Sequence, residues 1–125
     1  MKSSLAILLW ATSPEAPHLC ATPFFNAAVA AALDIEVEIY FTSQSVKLLE
    51  KGVAQALPTG PRERMTVYDF MLHAAENGVR FYACSHALEE YELALADLIP
   101  QVTGMAGAAT YVSRCMDESW STLVY

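Results

Sequence analysis

The sequence has few basic residues, and these residues form no cluster. It carries seven Lys and Arg against 14 Asp and Glu, which gives a formal net charge of −7 at pH 7. Proteins that bind nucleic acid neutralise phosphates with a patch or stripe of Lys and Arg. The composition therefore argues against nucleic acid as a partner. The acidic residues of the C-terminal third are interpreted as a solvated face that keeps the protein soluble.

Long apolar runs are also missing. No run approaches the roughly 18 residues that a membrane-spanning helix needs. The first apolar stretch, residues 5–10, is short and leads into Ser13-Pro14-Glu15. A secretory signal needs a longer apolar core and a small-residue cleavage site, so this stretch is typical of a buried first strand. We expect no membrane association.

The cysteines make no recognisable ligand set. Cys20, Cys84 and Cys115 are odd in number and far apart, with no CxxC pair and no Cys/His cluster. This spacing disfavours a disulfide scaffold and a structural zinc site, and it fits a reducing cytoplasm. The sequence also lacks GxGxxG after its first strand, GxxxxGK[ST] and GxSxG, so the common phosphate-binding loops and the hydrolase nucleophile elbow are absent. We predict neither a metal nor an organic cofactor.

What the sequence does have is apolar content. Hydrophobic residues make up 54% of its 125 residues and charged residues only 17%, which excludes a disordered chain. This length is enough for one core, so residues 1–125 are predicted to form a single domain. The apolar fraction is high for a monomer of this size. Because obligate oligomers hide apolar surface between subunits, we expect a homo-oligomer.

Strand-like and helix-like segments alternate along the chain. Strands are predicted at 5–10, 35–41, 79–83 and 120–125, and helices at 19–33, 44–51, 68–76, from residue 84 up to Pro100, and 104–116. Alternation of this kind with apolar strands predicts an α/β fold, with a parallel sheet flanked by helices on both faces. Residues 53–64 are predicted to form a long loop.

Cys84 is the candidate functional residue. It ends the third predicted strand and directly precedes a helix, where unpaired backbone N–H groups favour the thiolate, which is the reactive form. Ligands of open α/β sheets bind beyond the carboxyl ends of the strands, where the loops 12–18 and 42–45 also lie. Cys84 is therefore a candidate nucleophile or sulfur carrier. The alternative is a buried cysteine that acts as a small hydrophobic residue.

Several neighbours could support this thiol. Ser85 is predicted to cap the helix, and His86 could stabilise a thiolate as an imidazolium, although an exposed histidine is the simpler interpretation. His18 could approach the same edge of the sheet from the first loop. Cys20, at the start of the first helix, could fill the core or act as a resolving thiol, and core filling is preferred. Cys115 is interpreted as inert packing.

These segments resemble a known family. Residues 35–42 (IEVEIYFT) followed by 45–52 (SVKLLEKG) look like the second strand and helix of the DsrE/DsrF/TusD sulfur-relay family. Residues 74–84 (AAENGVRFYAC) are similar to the family pattern A-x-x-x-G-V-x-x-x-A-C, and the strand at 120–125 also fits. The resemblance covers essentially the whole chain. It implies one DsrE-like domain and assembly into homo- or hetero-trimers or hexamers, of which we expect a homotrimer or homohexamer.

The resemblance also implies a function. In family members that carry it, the cysteine matching Cys84 holds sulfur as a persulfide and passes it to a partner protein. This chain would then be a sulfur carrier or persulfide sulfurtransferase between donor and acceptor proteins, in sulfur oxidation or tRNA thiolation. Two alternatives stay open. One is a non-catalytic subunit of a hetero-oligomeric complex with a buried Cys84. The other is a redox sensor in which Cys84 forms a sulfenic acid or a disulfide with Cys20.

Overall fold

The computed structural model describes residues 3–125, and over this range the chain forms one parallel sheet of five strands. Their order across the sheet is β4-β3-β2-β1-β5, and each neighbouring pair is parallel. The strands are β1 (Ser4–Leu9), β2 (Glu36–Phe41), β3 (Arg80–Ala83), β4 (Val102–Met105) and β5 (Trp120–Val124). The predicted α/β class and parallel sheet are confirmed.

Four α-helices connect these strands, together with short 3₁₀ segments. The helices are α1 (Ala21–Ala32), α2 (Val67–Glu76), α3 (Ser85–Glu90) and α4 (Ala108–Cys115), and the 3₁₀ segments are Pro17–Leu19, Ser43–Leu49, Ala54–Ala56 and Leu95–Asp97, all within the range described above. A capping box starts α2. The Asp69 N–H donates to Thr66 Oγ1 at 3.2 Å, and the Thr66 N–H donates to Asp69 Oδ2 at 2.8 Å.

One face of the sheet carries the main core. Alternate residues of β1 and β2 point to this face, which α1 and α2 cover. Phe24 of α1 packs on Phe41 and Phe81, with ring centroids 6.0 and 5.9 Å away. The alanines of α1 allow this helix to lie close to the strands. The other side of α1 is exposed at Phe25 and Val29, so this alanine-rich helix is buried on one side only, whereas its few polar residues predict burial on more than one side.

The opposite face carries a smaller core and is packed mainly against α4, which contacts β1 and β5. Its buried side chains are Ala6, Tyr40, Tyr111 and Trp120. The prediction of helices on both faces is thus confirmed, although the two faces are covered unequally.

Three of the helices predicted from the sequence differ from those in the structure, two in their ends and one in its type. The predicted helix 104–116 begins only at Ala108, because the chain before it forms the edge strand β4 beside β3. The helix predicted from residue 84 to Pro100 ends at Glu90, and Glu92 then takes a positive φ of 55°. The helix predicted at 44–51 is a 3₁₀ helix. Among the residues that the structure describes, no helix is long and apolar enough to span a bilayer.

Candidate functional site

Cys84 is fixed by its backbone where the carboxyl ends of three strands meet. Its N–H donates to the Phe41 carbonyl at 2.9 Å, which extends the β2–β3 pairing by one residue. Its carbonyl accepts the Leu88 N–H at 3.0 Å and so starts α3. On the other side of β2, the Thr42 N–H donates to the Leu9 carbonyl at 3.0 Å. Sheet and helix hydrogen bonds therefore hold the thiol-bearing residue from both sides.

The half-buried Cys84 side chain forms part of the wall of a cavity of about 350 Å³. The cavity lies between the carboxyl ends of β1 and β2 and the segment that leads from β4 into α4. Its lining consists of Leu8, Tyr40, Phe41, Thr42, Cys84, Ala106, Gly107, Ala108, Tyr111 and Val112. None of these ten residues carries a charge, and most are apolar. Cys84 therefore borders an apolar space at the end of the sheet where ligands of α/β proteins bind, and its side chain also packs against the main core.

Tyr40 joins this cavity to a buried carboxylate. Its hydroxyl donates to Glu38 Oε1 at 2.6 Å, and its ring packs against those of Tyr82 and Tyr111, each with a centroid separation of 5.6 Å. Burial, and then the bond to Glu38, raises the pKa of Tyr40 to about 12. The Tyr40 phenol is therefore neutral near pH 7 and acts as a wall of the cavity rather than as a base.

The Glu38 carboxylate is nearly fully buried and is paired with two arginines. Arg114 Nε donates to Glu38 Oε1 at 2.9 Å, and Arg80 donates to Oε2 at 3.1 Å while also pairing with Glu36. The bond to Glu38 raises the pKa of Arg114 above its ordinary value. Arg114 also stacks on the Trp120 ring, 4.3 Å from its centroid. This network ties α4 to β2, β3 and β5 and thereby holds the helical wall of the cavity.

The three supporting residues predicted around Cys84 do not line this cavity. Ser85 and His86 are exposed in the first turn of α3, and His18 is exposed in the 3₁₀ segment Pro17–Leu19. The N-cap position of α3 is occupied by Cys84 itself, so the prediction that Ser85 caps the helix is wrong. Any role of these side chains in handling sulfur stays a prediction.

The other two cysteines occupy opposite environments. Cys20 is completely buried, its Sγ donates to the Ser13 carbonyl at 3.3 Å, and burial raises the pKa of its thiol. It fills the core, as preferred from the sequence. Cys115 lies at the end of α4 and is exposed, which is contrary to its interpretation as packing. Over residues 3–125, no group of three or more His, Cys, Asp or Glu side chains is arranged to hold a metal ion.

Sequence reasoning missed most of the cavity wall. The predicted helix 104–116 contains residues 106–112, and the predicted strand 35–41 contains Glu38 and Tyr40, but neither pattern indicates that these residues meet. One signal was present. Glu36 and Glu38 fall on the same side of an otherwise apolar strand, and a carboxylate at such a position needs a cationic partner. The two arginines that supply it are far away in sequence.

Fold and site together define a small parallel α/β protein with a cysteine at the carboxyl end of an inner strand. The sequence model of the DsrE/DsrF-like family matches residues 6–124. The chain therefore belongs to the DsrE/DsrF-like family, and the resemblance seen in its sequence is confirmed. No curated protein matches the chain in sequence.

Solved structures show the same fold at low identity. The protein of unknown function MTH1491 from Methanobacterium thermoautotrophicum superposes with a TM-score of 0.71 at 18% identity, covering 99% of this chain and 100% of that one. The YchN protein from E. coli gives 0.66 at 14% identity, with 100% of both chains covered. The protein of unknown function BT1422 from Bacteroides thetaiotaomicron gives 0.65 at 17%, covering 98% and 95%. These likenesses establish the fold alone.

Proposed function

We propose that this protein is a sulfur carrier that holds sulfane sulfur as a persulfide on Cys84 and passes it to a partner protein. Family membership is consistent with sulfur relay at the family level. The observation that carries the proposal is the half-buried Cys84 thiol in the wall of an apolar cavity. A thiol in this position is open to a small donor, while the cavity wall limits the access of water and oxidants to the product.

The reaction follows the logic of thiol–disulfide exchange. The Cys84 thiolate attacks the terminal sulfur of a donor persulfide, a new bond forms to Cys84 Sγ, and the donor S–S bond breaks. The electron pair of that bond leaves with the donor thiolate. An acceptor thiolate later attacks the terminal sulfur of the Cys84 persulfide and regenerates Cys84. Neither step needs an external oxidant or reductant.

The proposal includes protein partners on both sides of Cys84 and self-association of the chain. Donor and acceptor are expected to be persulfide carriers, in sulfur oxidation or tRNA thiolation. Exposed large apolar side chains support assembly into a homotrimer or homohexamer; they include Trp10, Leu19, Phe25, Leu33 and Val124. The three free thiols suit the reducing cytoplasm.

Intact-protein mass spectrometry tests the proposal. The protein is exposed to benzyl persulfide, which is uncharged, and separately to polysulfide and thiosulfate. The background is Cys115→Ser, which removes the exposed thiol, and Cys84→Ser is examined alongside. We expect the parent to gain the mass of one or more sulfur atoms, reversibly by a reductant, and Cys84→Ser to gain none. Equal loading of both proteins would indicate that Cys20, rather than Cys84, binds the sulfur. No loading of either would refute carriage and favour a non-catalytic subunit.

The redox-sensor alternative makes a different prediction. It requires Cys84 to form a sulfenic acid or to pair with Cys20, whose thiol lies fully buried in the core. Cys20→Ser should leave sulfur loading on Cys84 unchanged if the protein is a carrier. The sensor would be supported instead if peroxide formed a Cys20–Cys84 crosslink in the parent protein but not in Cys20→Ser, and if the parent gained no sulfur.

A further inference from the structure

We propose that the cavity beside Cys84 selects sulfur donors whose sulfane sulfur is attached to an uncharged, apolar organic group, and that it rejects small anionic donors such as thiosulfate. The proposal rests on Cys84 as the reacting thiol of the proposed sulfur carrier. It replaces the donor protein expected above with a small organic persulfide, whose chemical class the rest of the cavity determines, and it leaves the acceptor protein unchanged.

The cavity has room for more than the one sulfur atom that a persulfide adds to Cys84. Its volume of about 350 Å³ lies at the lower end of the roughly 300–1,000 Å³ found for small-molecule sites. A persulfide adds a single sulfur atom to Cys84 and would leave most of this space empty. A donor with an alkyl or aryl group would fill it and place its terminal sulfur against the thiol.

The two tyrosine hydroxyls at the cavity are already engaged, which leaves the uncharged Thr42 hydroxyl and the Cys84 thiol as the other polar side-chain groups of its wall. The Tyr40 hydroxyl donates to Glu38, and the Tyr111 hydroxyl interacts with Thr122 and Cys115. The charges of Glu38 and its two arginines are paired with one another, and none of these three residues lines the cavity. An anion that entered would lose its water and gain no cationic partner, whereas an apolar group would lose only unfavourable hydration.

The backbone N–H groups in the first turn of α4 do not reverse this preference for an apolar group over an anion. Gly107 and Ala108 border the cavity, but both are exposed, so the unpaired N–H groups of this turn remain accessible to water. An anion bound there would exchange one set of hydrogen bonds for another. The free energy gained by burying the apolar group is therefore what distinguishes one donor from another.

The chemical step balances for a donor R–S–SH, where R is uncharged and apolar. The Cys84 thiolate attacks the terminal sulfur, a bond forms between Cys84 Sγ and that sulfur, and the donor S–S bond breaks. The electron pair leaves with R–S⁻, and the proton stays on the transferred sulfur. Attack on the inner sulfur would instead leave R–S attached to Cys84 and release HS⁻, and the protein mass distinguishes the two products.

The side chain of Val112 offers a direct test because it lines the cavity and is still 55% exposed, so a charged replacement does not disturb the core. Val112→Lys would place a cation at the cavity without filling it. Met116, the C-cap residue that directly follows α4, is 80% exposed and does not line the cavity. Met116→Lys therefore adds the same charge at the end of the same helix and serves as the matched control.

The experiment compares two thiol reagents in the Cys115→Ser background. Benzyl methanethiosulfonate is uncharged and apolar, and 2-sulfonatoethyl methanethiosulfonate is an anion. Modification of Cys84 is followed by mass spectrometry, and each rate is divided by the rate with N-acetylcysteine. We expect a preference of about tenfold or more for the benzyl reagent, the discrimination typical of an apolar pocket. Val112→Lys should shift this ratio toward the anion by roughly fivefold, and Met116→Lys should not.

Equal normalised rates for the two reagents, or equal shifts in both lysine variants, would overturn the proposal. Both reagents label a thiol whether or not the protein carries sulfur, so the test stands apart from the sulfur-loading experiment. Selectivity without sulfur loading would refute the sulfur carrier and leave the apolar cavity as a binding site. Loading without selectivity would refute the donor class alone.

Discussion

The Tyr40 hydroxyl donates a 2.6 Å hydrogen bond to the buried Glu38 carboxylate, while the Tyr40 ring forms part of the wall beside Cys84. One side chain thus belongs both to the charged network on the α4 face and to the cavity. Because Glu38 also binds Arg80 and Arg114, the position of the ring depends on three elements, namely the strands β2 and β3 and the helix α4.

Tyr40→Phe removes this hydrogen bond and keeps the ring. We expect the free energy of unfolding to fall by about 1–3 kcal/mol, since a hydrogen bond to a charged group is lost and Glu38 keeps its two arginines. Urea denaturation at pH 7 measures the change. An unchanged midpoint would show that the hydroxyl contributes nothing. Modification of Cys84 should change little, because the aromatic wall is retained.

The raised pKa of Tyr40 also predicts a loss of stability at high pH. The folded state holds the phenol proton more tightly than the unfolded chain, where the pKa is about 10. This contribution is fully present below pH 10 and is lost as the pH rises toward the folded value of about 12. Urea midpoints above pH 10 should fall less steeply in Tyr40→Phe than in the parent. Parallel slopes would contradict the assignment.

The two carboxylates of β2 should differ sharply in their importance. The Glu38 side chain is 3% exposed, whereas that of Glu36 is 51% exposed, although both pair with Arg80. We expect Glu38→Gln to cost about 1–3 kcal/mol, because buried charged hydrogen bonds are lost. Glu36→Gln should cost below about 1 kcal/mol, as exposed ion pairs do. Equal losses in urea denaturation would rule out a special role for the buried carboxylate.

The three thiols should react in the order of their exposure. With iodoacetamide at neutral pH, we expect Cys115 to be modified first, Cys84 more slowly and Cys20 only on unfolding. Burial protects Cys20 sterically and, by raising the pKa of its thiol, keeps it protonated. Peptide mass spectrometry over a time course gives the three rates. Modification of Cys20 in folded protein at the rate of Cys84 would contradict this order.

The capping box of α2 provides a stability test away from the cavity. Thr66→Ala should lower the free energy of unfolding by about 0.5–2 kcal/mol, because the Asp69 N–H loses its acceptor. Thr66→Ser retains a hydroxyl and should lose little. The two variants are compared by urea denaturation. Equal losses in both would indicate that the methyl group of Thr66, rather than its oxygen, matters.

The elements that the sequence predicts correctly are those with strong local patterns. The alternation in β2 and the apolar run of β1 predict their strands, and Thr66 with Asn77-Gly78 delimits α2 closely. The sequence does not predict β4, because this edge strand has only four residues and contains Gly104. Its pairing with β3, rather than the strand propensity of its own residues, stabilises it. The predicted helix is longer than α3 because apolar residues continue at helical spacing beyond Glu90, where α3 ends.

For the site, the sequence identifies Cys84 but not its surroundings. The third strand and the helix that follows it are both predicted from residues close to Cys84, so the position of Cys84 at the end of a strand could be predicted. The cavity exists because residues near 106–112 approach Tyr40 from the far end of the chain, and no local pattern encodes that distance. The partners of Glu38 are equally remote, since Arg114 is 76 residues away. Side chains brought together by tertiary contacts are the part that the sequence leaves open.

The unequal covering of the two sheet faces has a consequence for exchange with solvent. The α1–α2 face is sealed by two packed helices, whereas the cavity depends on α4, an eight-residue helix held by Arg114 and Trp120. Segments with little buried contact open at lower free energy than the whole domain. Detachment of α4 would bare the Cys84 thiol while α1 and α2 stay folded. Amide protons of α4 should therefore exchange with deuterium sooner than those of β1 and β2, and the thiol labelling rate should follow the opening of this helix.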